Sequence, residues 1–153
     1  MLSNKAKYAL KALLILADEQ DRGHHLIVDL AERGGIPRKF LEAILLALKN
    51  RGILRSKKGK GGGYALARPP EEITLGQVIR WMDGPLALVP CASLTAYRKC
   101  DDCADEESCG IRTVMKEVRD ATSQILDSTT LADLLRIEGR AGAKSTGGED
   151  GEA

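Results

Sequence analysis

Aromatic side chains are scarce in this sequence: one Trp, one Phe and three Tyr among 153 residues. Proteins that grip single strands of nucleic acid stack bases on aromatic platforms, so that mode is not expected. Long apolar runs are missing as well. None approaches the roughly 18 residues of a membrane span, so no membrane partner is expected. Lys7 and Lys11 interrupt the first periodic segment, which rules against a signal peptide. There are only two histidines, His24 and His25, with no third ligand close by and no evident Cys or Ser partner for a nucleophile–base pair. They are expected in a solvated turn, and the chain is expected to be a cytoplasmic protein rather than an enzyme.

The small net charge of +1 conceals a division. Residues 1–70 carry 14 Lys and Arg against 6 Asp and Glu, whereas residues 71–153 carry 9 against 16. A basic half beside an acidic half points to a polyanionic partner for the first half.

Within that basic half the pattern is helical. From about Asn4 to Asp18, Tyr8, Leu10, Leu13, Leu14 and Ala17 recur at spacings of three and four, predicting a helix with one buried face, capped by Ser3 or Asn4. A short helix over 27–33 follows, ended by Gly34-Gly35, with Ile36 plugging the corner. Pro37 opens the next helix, in which Phe40, Leu41, Ile44, Leu45 and Leu48 repeat with helical period. Helix, glycine turn and helix form the helix-turn-helix arrangement, whose second helix enters the DNA major groove. Residues 53–58 and 64–67 read as two strands around Gly59-Lys60-Gly61-Gly62-Gly63. The glycine-rich tip lacks the spacing and the Lys-Ser/Thr ending of a phosphate-binding loop, so it reads as a wing. Arg38, Lys39 and Glu42 are the candidate base readers. Lys57, Lys58, Gly59, Lys60, Gly61 and Tyr64 are the candidate wing contacts.

The second half holds a helix over roughly 74–82, with Trp81 expected in the core, and then a long loop. That loop contains all four cysteines, Cys91, Cys100, Cys103 and Cys109, spaced C-x8-C-x2-C-x5-C. A reducing compartment disfavours structural disulfides, and soft thiolates clustered on a loop select zinc or an iron–sulfur centre. Spacing by itself leaves those two equal, because only one C-x2-C pair is present. Asp101, Asp102, Asp105, Glu106 and Glu107 surround the thiols and raise the cost of gathering negative charge without a metal. From Gly110 to about Asp127 a long amphipathic helix is expected. Ile111, Val114, Met115, Val118, Thr122, Ile125 and Leu126 line one side, and Arg112, Lys116, Glu117, Arg119 and Asp120 the other. Such a stripe suits pairing with its twin in a homodimer. A short terminal helix follows.

The residues that carry a family resemblance are Phe40-Leu41-Glu42 and the stretch Gly59-Lys60-Gly61-Gly62-Gly63-Tyr64-Ala65-Leu66-Ala67-Arg68-Pro69-Pro70-Glu71-Glu72-Ile73-Thr74-Leu75-Gly76. Over roughly residues 2–136 the chain resembles the Rrf-type winged-helix transcriptional regulators, the iron–sulfur-dependent group that includes IscR, NsrR and RirA. The resemblance implies a homodimer with crossed long helices and a palindromic double-stranded DNA operator. It also implies a cysteine loop that holds a cluster, 2Fe-2S or 4Fe-4S. The family's three-cysteine pattern matches Cys91, Cys103 and Cys109. Cys100 is an added thiol, and Arg112 stands where IscR-like members place a histidine ligand. The expected fold class is mainly α with a small β-hairpin wing. Residues 1–84 would form the winged helix-turn-helix and 85–109 the cysteine loop. Residues 110–138 would supply the dimerisation and terminal helices, and 139–153 a disordered tail. The expected function is regulation of transcription through the cluster, in response to iron, redox or nitrosative status. A structural zinc or a metal-free thiol switch is the alternative.

Overall fold

A computed structural model describes residues 1–140 of the chain. The elements run α1 (Asn4–Asp18), α2 (Ile27–Gly34), α3 (Arg38–Asn50), β1 (Leu54–Lys57), β2 (Gly63–Leu66), α4 (Leu75–Asp83), α5 (Gly110–Ser128) and α6 (Leu131–Ile137). Among the described residues this is the expected class, mainly α with a small β-hairpin wing: six α-helices and two strands.

α1 begins where the Ser3 hydroxyl accepts from the Ala6 amide at 3.0 Å, a standard N-cap. It has more than the single buried face that its spacing predicts. Ala6, Ala9, Ala12, Leu13, Leu16 and Ala17 are all buried, because α2, α3, α4 and α6 pack around it. The four alanines have little bulk, so neighbouring backbones come close. α1 is the central post of the core, and each large apolar side chain buried there contributes about 1.5–3 kcal/mol.

α2 and α3 meet at the expected turn. Gly35 adopts φ 60°, the left-handed conformation that ends a helix. The Ile36 amide donates back to the Ala31 carbonyl at 2.9 Å, and its side chain is buried. Leu41, Ile44, Leu45 and Leu48 of α3 lie in the core. Phe40 does not follow them. It is exposed and meets Tyr8 edge-on, with ring centroids 6.3 Å apart.

The wing is an antiparallel hairpin in the register Leu54↔Leu66, Arg55↔Ala65, Ser56↔Tyr64 and Lys57↔Gly63. It gains an unexpected third partner. His25 pairs with Tyr64 through two main-chain hydrogen bonds of 2.8 Å. At Gly63 (φ 122°) a Cβ would sit 2.1 Å from the His25 carbonyl oxygen, so only glycine admits this approach. The segment 21–25 is therefore not merely a solvated turn: His25 is largely buried and braces the wing.

α4 and α6 each start with a capping box, Thr74 with Gln77 and Thr130 with Asp133. The two starts are stitched together. The Leu75 amide donates to the Thr129 carbonyl and the Leu131 amide to the Ile73 carbonyl, both at 2.9 Å. α6 thereby returns to the winged module, where Leu131 and Leu135 are fully buried in the same core as α1. Beyond it, the Arg140 amide donates to the Leu135 carbonyl (2.9 Å) and the Gly139 amide to that of Arg136 (3.1 Å). These two hydrogen bonds close the helix and anchor the first two residues of the expected tail. The rest of that tail lies outside the described residues.

Candidate nucleic-acid interface and cysteine cavity

The candidate base readers lie together on the outer surface of α3. Arg38, Lys39 and Glu42 are exposed at its N-terminal end, and Arg38 Nε stands 3.5 Å from Glu42 Oε1. The wing tip exposes Lys57, Lys58, Gly59, Lys60 and Gly61. No acidic residue interrupts the run from Arg55 to Lys60. Tyr64 differs from the other candidates. Its ring is half-buried against the core, and its main chain is engaged with His25. The helical period of α3 also hid two exposed apolar residues among the charges, Ala43 and Leu46.

Behind the wing a polar cluster holds the turn before α2. Arg33 grips Glu19 with two hydrogen bonds of 2.7 and 2.9 Å, and His25 Nδ1 stands 3.7 Å from the same carboxylate. The Arg33 hydrogen bond pulls the Glu19 carboxyl below the usual carboxylate range.

The loop over 84–109 carries little regular structure: a single 3-10 turn, Pro90–Ala92, with Cys91 at its centre. All four cysteines are free thiols. They line one cavity of about 450 Å3, together with Val89, Ile111, Arg112 and the acidic Asp102 and Asp105. Cys91 is only 5% exposed, while the other three are half-buried. The Cys100 Sγ lies 3.7 Å from the Cys91 Sγ and donates to it, which pushes the Cys100 thiol up from its ordinary range. Cys109 caps α5, its sulfur accepting from the Arg112 amide at 3.4 Å.

This donor set suits a thiolate-liganded metal centre. Two thiolates on one tetrahedral metal with bonds of about 2.3 Å sit about 3.8 Å apart, close to the Cys91–Cys100 separation. Among the described residues no group of three or more His, Cys, Asp or Glu is already gathered tightly enough to hold an ion. Two thiols thus stand at that separation, and the other two line the same walls.

α5 forms one side of this cavity and ties it to the rest of the protein. None of its 19 residues is buried. The stripe expected on one side divides in two. Ile111, Val114, Val118, Ala121 and Ile125, spaced three and four apart, are exposed, whereas Met115, Thr122 and Leu126 are partly covered by the chain itself. Arg112 and Arg119, expected on the solvent side, instead reach inward. Arg112 Nε donates to the Cys91 carbonyl at 3.3 Å and Arg119 Nη1 to the Ala92 carbonyl at 2.6 Å. The Arg119 side chain is only 11% exposed. Tyr97 donates to Glu106, whose carboxylate is 3.9 Å from Arg112, so the loop is also held from its far side. At the other end of α5, Asp127 takes two hydrogen bonds from Arg80 of α4, at 2.6 and 2.8 Å. Sequence reasoning missed both arginine tethers. Their partners lie 21 and 27 residues away and are main-chain carbonyls, which leave no mark on composition or period.

Comparison with known proteins agrees with this architecture. The family profile Rrf2, described as an iron-dependent transcriptional regulator, matches residues 2–137. A Rhodobacter capsulatus chain described as an rrf2-like HTH-type transcriptional regulator is 46% identical over 138 residues, covering 88% of this chain and 92% of that one. Among solved structures, CymR, the global cysteine regulator of B. subtilis, superposes with a TM-score of 0.74 at 30% identity, covering 90% of this chain and 97% of that one. IscR of T. potens superposes with a TM-score of 0.72 at 28% identity, covering 90% and 88%.

Proposed function

The chain belongs to the Rrf2 family of helix-turn-helix transcriptional regulators, whose members are not enzymes, and from that premise we propose that it is a homodimer whose grip on a palindromic operator is set by an iron–sulfur cluster in the cysteine cavity. The observation that carries this reading is the convergence of four free thiols on one cavity walled by α5.

In this reading residues 1–84 are the DNA-binding module, 85–109 the sensing loop and 110–138 the segment that begins with the pairing helix. Arg38, Lys39 and Glu42 face base edges, where Glu42 accepts from a cytosine amino group. Lys57, Lys58 and Lys60 meet phosphates, and Gly59 and Gly61 let the wing backbone approach them. Tyr64 fixes the wing to His25 through its main chain, and its partly exposed side chain stays among the wing contacts. The exposed stripe of α5 pairs with its twin, which places two recognition helices for two half-sites.

Cys91, Cys100, Cys103 and Cys109 hold the cluster, which when bound supplies a redox- and iron-sensitive crosslink within the loop. Arg112 and Arg119 carry the effect outward, because they clamp the carbonyls of Cys91 and Ala92 to α5. A shift of the 3-10 turn Pro90–Ala92 is then a shift against the pairing helix, and Arg80–Asp127 passes it to α4. A coupling of about 1–3 kcal/mol changes operator affinity roughly 5–150-fold.

The test is anaerobic purification with iron, sulfide and zinc analysis and a visible spectrum, followed by DNA binding with and without the metal. Stoichiometric zinc without iron or colour would replace the cluster with a structural zinc. The 3.7 Å thiol pair suits that site as well. Operator binding that ignores metal and thiol state alike would refute the sensing role. For the wing, Lys58→Ala removes one contact from each protomer and should make the slope of log affinity against log salt shallower by about two; an unchanged slope removes Lys58 from the phosphate contacts.

A further inference from the structure

α3 advances about 100° per residue, and its buried residues Leu41, Ile44, Leu45 and Leu48 occupy one arc of it. Diametrically opposite runs a line of exposed residues: Lys39, Ala43, Leu46 and Asn50. Leu46 keeps 53% of its surface open. A single exposed leucine needs no explanation. Here, however, Ala43 and Leu46 are neighbours at i and i+3, on an exposed face that also carries Arg38, Lys39, Glu42 and Lys49. Phosphates offer nothing to such side chains. The floor of the major groove does, because thymine alone carries an apolar group there, its 5-methyl.

We propose that Ala43 and Leu46 form an apolar subsite that receives thymine methyl groups of the operator. This rests on the reading of α3 as the helix that enters the major groove. Glu42 and Lys39 flank the subsite on the same surface, so polar and apolar readout alternate along the helix. The consequence is a requirement for the thymine methyl at one or two positions of each half-site, which no hydrogen bond from α3 would impose.

The experiment begins by selecting tight-binding duplexes from random DNA with the full-length protein. Each thymine of the selected site is then replaced singly by uracil, which removes only the methyl. At the subsite positions affinity should fall about fourfold per methyl, the equivalent of ~0.8 kcal/mol. Leu46→Ser, a change on an exposed surface, should bind the thymine duplex more weakly and lose the discrimination against uracil at its position. Ala43→Gly should do the same at the neighbouring one. Lys58→Ala should weaken thymine and uracil duplexes equally. Indifference of the unaltered protein to uracil at every position overturns the proposal while leaving the DNA-binding role intact. So does uracil sensitivity that survives in both variants. A protein that selects no duplex overturns the docking of α3 and the subsite with it.

Discussion

Replacing Ile125 with serine isolates the pairing surface from the fold. Ile125 lies in the last full turn of the exposed α5 stripe and leaves 65% of its surface open in the single chain. Burying a whole isoleucine side chain contributes about 1.5–3 kcal/mol, so the two-thirds still open contributes about 1–2 kcal/mol when a partner covers it. A two-fold interface buries the residue on both protomers and doubles this to about 2–4 kcal/mol. Ile125→Ser should therefore weaken the dimer roughly 30- to 900-fold. The unfolding midpoint of the dissociated chain should barely move, because the side chain touches little of its own protomer. Sedimentation equilibrium across a concentration series measures the first quantity, and thermal unfolding at high dilution the second. A dissociation constant within about threefold of the unaltered protein would show that α5 does not pair through this face.

Leu135→Ala should lower the unfolding free energy of the winged module by about 2–5 kcal/mol in denaturant titrations, although it lies 51 residues beyond position 84, because its side chain is fully buried in the core around α1. Asp127→Asn should cost about 0.5–1 kcal/mol at neutral pH, a modest amount because Asp127 is 44% exposed and water screens the pair. Its partner Arg80 holds the Asp127 carboxyl below its ordinary value. The contribution is thus complete above the unfolded-state value near 4 and is lost as pH falls below it. The stability gap between the two proteins should narrow as pH falls below about 4 and through the lowered native value, and a gap that does not narrow would refute the ion-pair account. Arg119→Ala removes the clamp on the Ala92 carbonyl and should leave thiol count and DNA binding in place while reducing the difference in operator affinity between metal-loaded and metal-free protein. An undiminished difference, measured by fluorescence anisotropy, would show that the signal travels by another route.

Local patterns made much of this protein legible. The limits of α1 follow from Ser3 and from apolar spacing, and α3 follows from Pro37 and from Leu41, Ile44, Leu45 and Leu48. The wing announces itself by strand-like residues around five glycines and lysines, and the exposure of Arg38, Lys39 and Glu42 agrees with the surface expected of a recognition helix. Phe40 escaped because a helical period counts apolar residues without saying which arc is covered. Leu46 lies off that repeat, and a leucine outside the period carries no sign of what it will meet. The partial burial of His25 depended on the wing folding back onto it, a pairing across nearly forty residues.

The amino-acid sequence determined whatever depends on near neighbours: caps, helical faces, the hairpin turn, and four thiols on one loop. Only the tertiary structure decided that α6 returns to the winged core, and that the four thiols share a cavity with just two of them in close contact. It also decided that Arg112 and Arg119 turn inward to clamp the cysteine loop onto α5. The reason is physical. Secondary structure is selected by interactions within a few residues, whose period is written in the chain. Ion pairs and hydrogen bonds to distant carbonyls arise only after buried apolar surface has brought the elements together, and they carry no period of their own.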